Sequence, residues 1–256
     1  MNLEIDKKLG ASYKSKPQKV RIVTEKWIEA NMYCPSCGQD SLRAFENNKP
    51  VADFYCNQCL EEFELKSKNG KSMEKKIVAA SYSSMIERLT AANKPNFFFL
   101  AYDNTTWMVN NLVLVPKHFI TPEIIQKRKP LPETAKRAGW VGCNIDLSKI
   151  PQSGRIYIIK NSNIVPKEEV ISKWQATIFL RKKKEKARGW IIDGMNCLDR
   201  IPTVTFQLQD VYTFEEELKV KYPDNNFIKD KIRQQLQVLR DKGLLEFKQR
   251  GVYKKL

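Results

Sequence analysis

The feature of this sequence that most restricts its fold is a pair of Cys-x-x-Cys motifs. Cys34 and Cys37 form the first motif, and Cys56 and Cys59 form the second after 18 intervening residues. Zinc sites of this kind separate the two pairs by about 15–20 residues, and four thiolates close a tetrahedral site without room for water. The motifs therefore predict a structural Zn²⁺ that ties the end of an N-terminal helix to the tip of a β-hairpin.

Composition indicates a polyanionic partner. The 256 residues carry a net charge of +16, and Lys and Arg are in excess both in residues 1–180 and in residues 181–256. Nucleic acid is the usual partner for such an excess, although lysines can also serve only to keep a protein in solution. No run approaches the roughly 18 apolar residues of a membrane span, and the N-terminus lacks the apolar core of a signal peptide. We expect a cytoplasmic protein with no membrane partner.

Hydrophobic periodicity predicts a mixed α/β domain over residues 1–182. Helices are predicted at 15–31, 78–92 and 166–180, with another starting at Thr121, and strands at 51–55, 61–67, 96–102, 110–115 and 154–160. The basic stretch 181–189 is the best candidate for a linker.

Residues 183–256 predict a winged helix domain, because three helical segments precede a basic β-hairpin that turns at Arg250-Gly251. In the third helix the apolar residues recur at spacings that place them on one inner face. The polar residues left on the outer face can reach base edges and phosphates in a major groove, and they are Arg233, Gln234, Gln237 and Arg240. The alternative is a helical module that binds protein.

The predicted strands at 51–55 and 61–67, which lie on either side of the second cysteine pair, carry candidate catalytic residues. Strand alternation places Glu64 and Lys66 on one side, and Asp53 precedes them on the partner strand. Two converging carboxylates favour a cation such as Mg²⁺ between them, and a neighbouring lysine can position a water and offset charge during phosphodiester cleavage. The alternative is an ordinary solvent-facing strand, since alternating Glu and Lys are common.

These residues match the PD-(D/E)xK nuclease pattern, with Pro50 to Asp53 followed by Glu64-Leu-Lys66. Longer stretches, including "FENNKPVADFYCNQC", "EEFELKSK" and "KIRQQLQVLRDKG", resemble the DpnI-type restriction endonucleases, also called dam-replacing proteins. The resemblance implies a PD-(D/E)xK nuclease domain and a C-terminal winged helix. It also implies a type II enzyme that cleaves double-stranded DNA at GATC when the adenine carries an N6-methyl group. Asp53 and Glu64 would hold Mg²⁺, and Lys66 would assist the water.

The resemblance also matches the segment from Arg137 to Trp140 to a loop that brings a tryptophan to the methyl groups. The alternative role for Trp140 is a core residue at a loop–strand junction. One methyl group in an apolar pocket gives about 1–3 kcal/mol, or roughly 10–200-fold discrimination. We therefore hypothesise that the winged helix also reads methylated DNA, with Arg250 among its DNA contacts.

Two other functions are compatible with these patterns. One is a non-catalytic regulator in which a zinc ribbon and a winged helix bind DNA, and the other is a repair nuclease or nickase of the same fold. The prediction that we carry forward is a monomeric, Mg²⁺-dependent, methyl-directed endonuclease with a structural Zn²⁺.

Overall fold

The computed structural model describes residues 1–46, 52–73, 75–91 and 93–256. Pro50 and residue 51, which belong to the predicted nuclease motif and strand, lie outside these ranges. The chain divides into two compact units, one of residues 1–150 and 154–175 and the other of residues 151–153 and 176–256. This boundary falls slightly before residue 182, where the sequence prediction divided the chain. In the described part, no helix is long and apolar enough to cross a membrane.

Within its described residues, the first unit contains three α-helices and ten strands. In chain order they are α1 (Lys16–Asn31), β1 (Arg43–Ala44), β2 (Phe54–Tyr55), β3 (Glu62–Asn69), β4 (Lys76–Ser81), α2 (Tyr82–Thr90), β5 (Asn96–Tyr102), β6 (Val109–Val115), β7 (Ile125–Lys127), β8 (Gly142–Asp146), β9 (Ile156–Lys160), β10 (Asn163–Ile164) and α3 (Lys167–Thr177).

Seven strands form the main sheet in the order β1-β2-β3-β5-β6-β9-β10, and β4-β8-β7 form a second sheet. β3 and β5 are parallel, and the other neighbours in the main sheet are antiparallel. β5 is buried along its whole length, as its continuous apolar sequence predicts. Phe63 of β3 stacks on Phe98 of β5 at a centroid distance of 5.0 Å, and Trp174 of α3 covers Phe63 at 6.4 Å. This core makes β3 a rigid support for the residues on its other face.

The mixed α/β fold is as predicted, but one predicted helix is shorter than expected and another is replaced by a 3₁₀ turn. Residues 76–81 form β4 and pair with β8, so the predicted helix over 78–92 is confined to Tyr82–Thr90. The predicted helix at Thr121 is only a 3₁₀ turn over Pro122–Ile124, which leads into β7. Pairing with β8, a strand that the sequence patterns missed, explains both errors, because long-range pairing overrides short-range helix signals.

The second unit contains four helices and three strands, which are α4 (Glu185–Arg200), β11 (Thr205–Gln207), α5 (Leu208–Tyr212), α6 (Glu215–Lys221), α7 (Ile228–Asp241), β12 (Leu245–Gln249) and β13 (Val252–Lys255). α7 packs against α4, α5 and α6, and β13 lies between β11 and β12. The β12–β13 hairpin turns at Arg250 and Gly251, where Gly251 has a φ of +75°.

This arrangement agrees with the predicted three helical segments and wing, with two differences. The second segment divides into α5 and α6, and α4 begins inside the predicted linker, at Glu185. The inner face of α7 is as predicted, since its apolar side chains are buried, namely Ile228, Ile232, Leu236 and Leu239.

Candidate active site and zinc centre

Four cysteines cluster where α1 ends and where β2 ends. The Sγ atoms of Cys34 and Cys59 are 3.5 Å apart, those of Cys37 and Cys56 are 3.6 Å apart, and all four lie within 4.8 Å of one another. Four sulfurs held at about 2.3 Å from a tetrahedral Zn²⁺ would be separated by about 3.8 Å. The cluster therefore has the ligand type, number and spacing of a structural zinc site.

The backbone around the two cysteine pairs repeats the same turn. Gly38 N–H donates to the Cys34 carbonyl at 2.8 Å, and Leu60 N–H donates to the Cys56 carbonyl at 2.9 Å. Both donors have left-handed φ values, +81° for Gly38 and +59° for Leu60. A leucine rarely adopts this conformation, so its presence indicates that the surrounding structure imposes the turn. The two matched turns direct four sulfurs to one point.

The pairing of β2 with β3 sets the two candidate carboxylates opposite each other. Phe54 pairs with Phe63, and Asp53 N–H donates to the Phe63 carbonyl at 3.0 Å. Continuing this register by one residue brings Asp53 level with Glu64. Along β3, Phe63 and Leu65 are buried, while Glu64 and Lys66 are half-buried on the opposite side. The alternation predicted from the sequence is thus present in the strand.

Three side chains meet around this point of the hairpin. Leu65 N–H donates to Oδ2 of Asp53 at 2.6 Å, which joins Asp53 to the peptide between Glu64 and Leu65. Nζ of Lys66 lies 2.5 Å from Oε1 of Glu64. The Glu64 and Lys66 side chains are 13% and 20% exposed, so this pair is shielded without being closed off from solvent. The structure therefore brings Asp53, Glu64 and Lys66 together.

The electrostatics of Asp53 favour a nearby cation. Burial raises the pKa of the Asp53 carboxyl above its ordinary value, and the Glu64 charge raises it further. The hydrogen bond from Leu65 and the charges of Lys66 and Arg21 act in the opposite direction. A divalent cation between the two carboxylates would remove their repulsion and stabilise both ionised forms.

The donor set fits such a cation. Oε2 of Glu64 is buried and has no hydrogen bond within the described part of the chain, although Nε of Arg88 approaches it at 3.1 Å. Oδ2 of Asp53 accepts the hydrogen bond from the Leu65 N–H, and the carboxylate has a second oxygen, Oδ1. Carboxylate oxygens are the ligands that Mg²⁺ and Mn²⁺ prefer. Asp53 and Glu64 are thus suited to hold a hard divalent cation.

Three charged residues near this site were not predicted from the sequence. Arg21 and Glu25 of α1 form an ion pair of 2.6 Å and line the same cleft as Asp53, and Arg88 of α2 pairs with Glu64. Burial raises the pKa of Glu25, and the Asp53 charge contributes to this rise. The four-residue spacing of Arg21 and Glu25 was a visible signal of an ion pair. Nothing in the local pattern indicated which face of α1 would meet the hairpin.

Trp140 lies half-buried at the end of a loop between β7 and β8. The loop is closed by hydrogen bonds from Arg128 N–H to the Gly142 carbonyl and from Leu131 N–H to the Trp140 carbonyl, both 2.9 Å. The guanidinium carbon of Arg137 lies 4.6 Å from the centroid of the Trp140 ring. A Cβ atom at Gly142 would lie only 2.8 Å from the outer edge of that ring. Trp140 is therefore packed between Arg137 and the backbone of Gly142, on a loop and outside the core.

The predicted DNA-binding residues of the second unit are exposed, but several already have partners. Arg233 pairs with Asp230, and Arg240 lies 2.8 Å from Asp241. Gln234 accepts a hydrogen bond of 2.7 Å from Lys231. The two remaining predicted residues are also exposed, at the middle of α7 and at the turn of the wing, and they are Gln237 and Arg250. Cys143 and Cys197, which lie outside the two Cys-x-x-Cys motifs, are buried.

The fold and the site together define a class of protein. A mixed α/β unit with a four-cysteine cluster and a carboxylate–lysine group is followed by a helical unit with a β wing. The family model described as the dam-replacing family matches residues 1–183, and the model described as the dam-replacing HTH domain matches residues 186–255. The chain belongs to the dam-replacing family, a family of restriction endonucleases, which confirms the resemblance seen in the sequence motifs.

Proposed function

We propose that this protein is a type II, methyl-directed restriction endonuclease that hydrolyses double-stranded DNA at GATC sites containing N6-methyladenine. The main support is the group formed by Asp53, Glu64 and Lys66 on one hairpin, in a chain whose family consists of restriction endonucleases. In this proposal the first unit is a PD-(D/E)xK nuclease domain that acts as a monomer on cytoplasmic DNA.

The residues of the hairpin divide the chemical work. Asp53 and Glu64 would hold Mg²⁺, and the Leu65 N–H fixes the orientation of Asp53. When bound, the cation polarises the phosphate and makes a water more acidic. Lys66, whose ammonium lies 2.5 Å from Glu64, positions that water and offsets negative charge that develops in the transition state. The core beneath β3 keeps these groups in place.

The zinc centre has a structural role in this proposal. Its cysteines follow α1 and β2 directly, so a Zn²⁺ would join the helix that carries Arg21 and Glu25 to the strand that precedes the Cys56 turn. A closed four-thiolate site leaves no coordination position for water or phosphate. The zinc would therefore hold the cleft together without entering the reaction.

Two parts of the chain would read the DNA. Trp140 provides an aromatic surface for the N6-methyl group in the major groove, and Arg137 can move from the ring to a phosphate. The outer face of α7 would enter the major groove, with base contacts from Gln237 and Gln234 and phosphate contacts from the surrounding cations, Arg233, Arg240 and Arg250. One methyl contact limits the preference for methylated over unmethylated DNA to roughly 10–200-fold. If two domains each recognise the methylated site, their preferences multiply.

A plasmid digest tests the proposal directly. Supercoiled plasmid is prepared with and without N6-methyladenine at its GATC sites and incubated with the protein and Mg²⁺. Linear product from methylated plasmid alone, with ends that map to GATC, is the expected result. Binding without cleavage would indicate a regulator, and nicking or cutting without regard to methylation would indicate a nuclease of another kind. Either result would overturn the proposal.

A further inference from the structure

Phe227 is the N-cap residue immediately before α7, the fourth helix of the second unit, and its side chain is 71% exposed. Phe247 of β12 is also exposed, at 48%, whereas two other phenylalanines of this unit are covered. Phe206 is buried and stacks on Tyr253, and Phe214 lies under the guanidinium of Arg200 at 4.5 Å. Full burial of a phenylalanine side chain stabilises a fold by about 1.5–3 kcal/mol. The exposed ring of Phe227 therefore lacks the stabilisation that the buried ring of Phe206 provides.

The exposure of Phe227 is imposed by its surroundings. The next residue, Ile228, is only 4% exposed and anchors the helix in the core, so Phe227 points elsewhere. Phe227 N–H donates to Oδ1 of Asn225 at 2.8 Å, and Lys231 N–H donates to the Phe227 carbonyl at 3.0 Å. These bonds fix the backbone on both sides of the residue. The ring is thus presented from a rigid position.

That position is where a recognition helix approaches base edges. In helix-turn-helix proteins the N-terminal residues of the second helix of the motif contact bases in the major groove. Residues 186–255 match the HTH domain of the family, and α7 is the helix whose exposed face carries Arg and Gln side chains. An aromatic ring cannot form hydrogen bonds with base edges, but it can contact a methyl group there. In A·T pairs such a group comes from the thymine base or from an N6-methylated adenine.

The charges around the ring suit a DNA duplex. Lys229 and Lys231 follow Phe227 on the first turn of α7, and Lys221 precedes it at the end of α6. Lys229 is held 3.1 Å from Glu215, an exposed pair of small energetic value that phosphate can replace. Lysines attract the backbone without reading sequence, so the ring between them is the element that can add specificity.

We infer that Phe227 is a specificity-determining residue of the second unit, whose ring contacts a methyl group on the major-groove edge of an A·T pair in the target site. This inference rests on the proposed function, because it presumes that the methylated site is the target. It gives the DNA-binding face of α7 an apolar contact with a methyl group, separate from the contact proposed for Trp140.

The experiment uses the full-length chain with Lys66→Ala and Trp140→Ala, which prevents cleavage and removes the methyl contact of the first unit. Equilibrium binding is measured on four duplexes that combine adenine or N6-methyladenine with thymine or uracil in the GATC site. Phe227→Ala is compared with Phe227→Leu, which keeps an apolar side chain. Val204→Ala is the control, because Val204 is 58% exposed and lies immediately before β11, where its carbonyl accepts a hydrogen bond from Lys255 of β13. Thermal unfolding verifies that each variant folds.

Phe227→Ala is expected to weaken binding about tenfold on duplexes that carry the contacted methyl group and to leave the others within about twofold. Phe227→Leu should retain most of the preference, and Val204→Ala all of it. The duplex pair that loses its difference identifies the source as adenine or thymine. If the starting protein binds all four duplexes alike, or if Phe227→Ala weakens all four equally, the inference is wrong. The wild-type plasmid digest decides the proposed function separately, since methyl-dependent cutting can persist when this inference fails.

Discussion

The backbone N–H of Leu65 donates a 2.6 Å hydrogen bond to the carboxylate of Asp53. Leu65 lies between Glu64 and Lys66 in β3, so this bond fixes Asp53 against the strand segment that carries the other two candidate catalytic residues. The Asp53 carboxylate therefore has two proposed roles. One oxygen accepts the hydrogen bond that fixes the hairpin, and the carboxylate as a whole would bind a metal ion. These two roles can be separated by substitution.

Asp53→Asn keeps an oxygen that can accept the Leu65 N–H but removes the negative charge. We expect it to abolish cleavage and to leave the melting temperature close to that of the wild type. Asp53→Ala should abolish cleavage and also leave a partly buried N–H without its partner, which destabilises by about 1–3 kcal/mol. Plasmid cleavage and thermal unfolding of the two variants provide the measurement. Cleavage by Asp53→Asn at the wild-type rate would show that the Asp53 carboxylate is not a required metal ligand.

Zinc content should depend on the cysteine cluster and on no other cysteine. Cys37 is exposed, so Cys37→Ser disturbs packing little, yet it removes a ligand. We expect zinc bound per chain to fall from one to near zero and the first unit to lose several kcal/mol of stability, about 10 °C in Tm. Cys143→Ser is the matched control, because its hydroxyl can still donate to the Ala80 carbonyl, as the thiol does at 3.4 Å. Full zinc content in Cys37→Ser would contradict the assignment.

The packing of Trp140 against Gly142 offers a way to displace the ring without changing it. A Cβ at Gly142 would lie 2.8 Å from the ring edge, a distance at which the ring must shift. We expect Gly142→Ala and Trp140→Ala to lower the ratio of cleavage rates on methylated and unmethylated sites, each by about tenfold or more. Gly139→Asn, at a loop position with a φ of +76° and open space around it, is the control and should keep the ratio. An unchanged ratio in Trp140→Ala would show that another residue senses the methyl group.

Arg250 lies exposed at the turn of the wing, where it can reach a phosphate but is expected to read no base. Arg250→Ala should therefore weaken binding equally on methylated and unmethylated DNA. It should also reduce the slope of log affinity against log salt by about one. Binding measured across a salt series tests both points. A loss confined to methylated DNA would instead assign Arg250 to recognition.

Much of this architecture is predictable from local patterns. The cysteine spacing predicted the cluster, strand alternation placed Glu64 and Lys66 on one side of β3, and apolar periodicity gave the inner face of α7. The nuclease motif was recognisable because its residues lie within one hairpin. Its meaning as a site depended on the family resemblance, since alternating Glu and Lys are common in exposed strands.

The parts that sequence did not predict depend on contacts between distant segments. β4 and β7 were taken for helical residues because their pairing with β8 cannot be seen in their own composition. Arg21 and Glu25 reach the site because α1 packs against β3, and Arg88 reaches it because its side chain extends from α2 to Glu64. No local pattern specifies either contact. Phe227 was not predicted for another reason. A phenylalanine next to an isoleucine is typical of a buried segment, and only the structure shows that Ile228 is buried while Phe227 is exposed.

The most direct test of the central claim is the single-turnover cleavage rate of a methylated GATC duplex by Lys66→Ala. Lys68→Ala is the matched control, because Lys68 lies two residues further along β3 on the same side. Lys66→Ala is predicted to cleave at least about a hundredfold more slowly while binding the duplex normally, and Lys68→Ala is predicted to stay close to the wild-type rate. Wild-type cleavage by Lys66→Ala would contradict the proposal that Asp53, Glu64 and Lys66 form the catalytic centre.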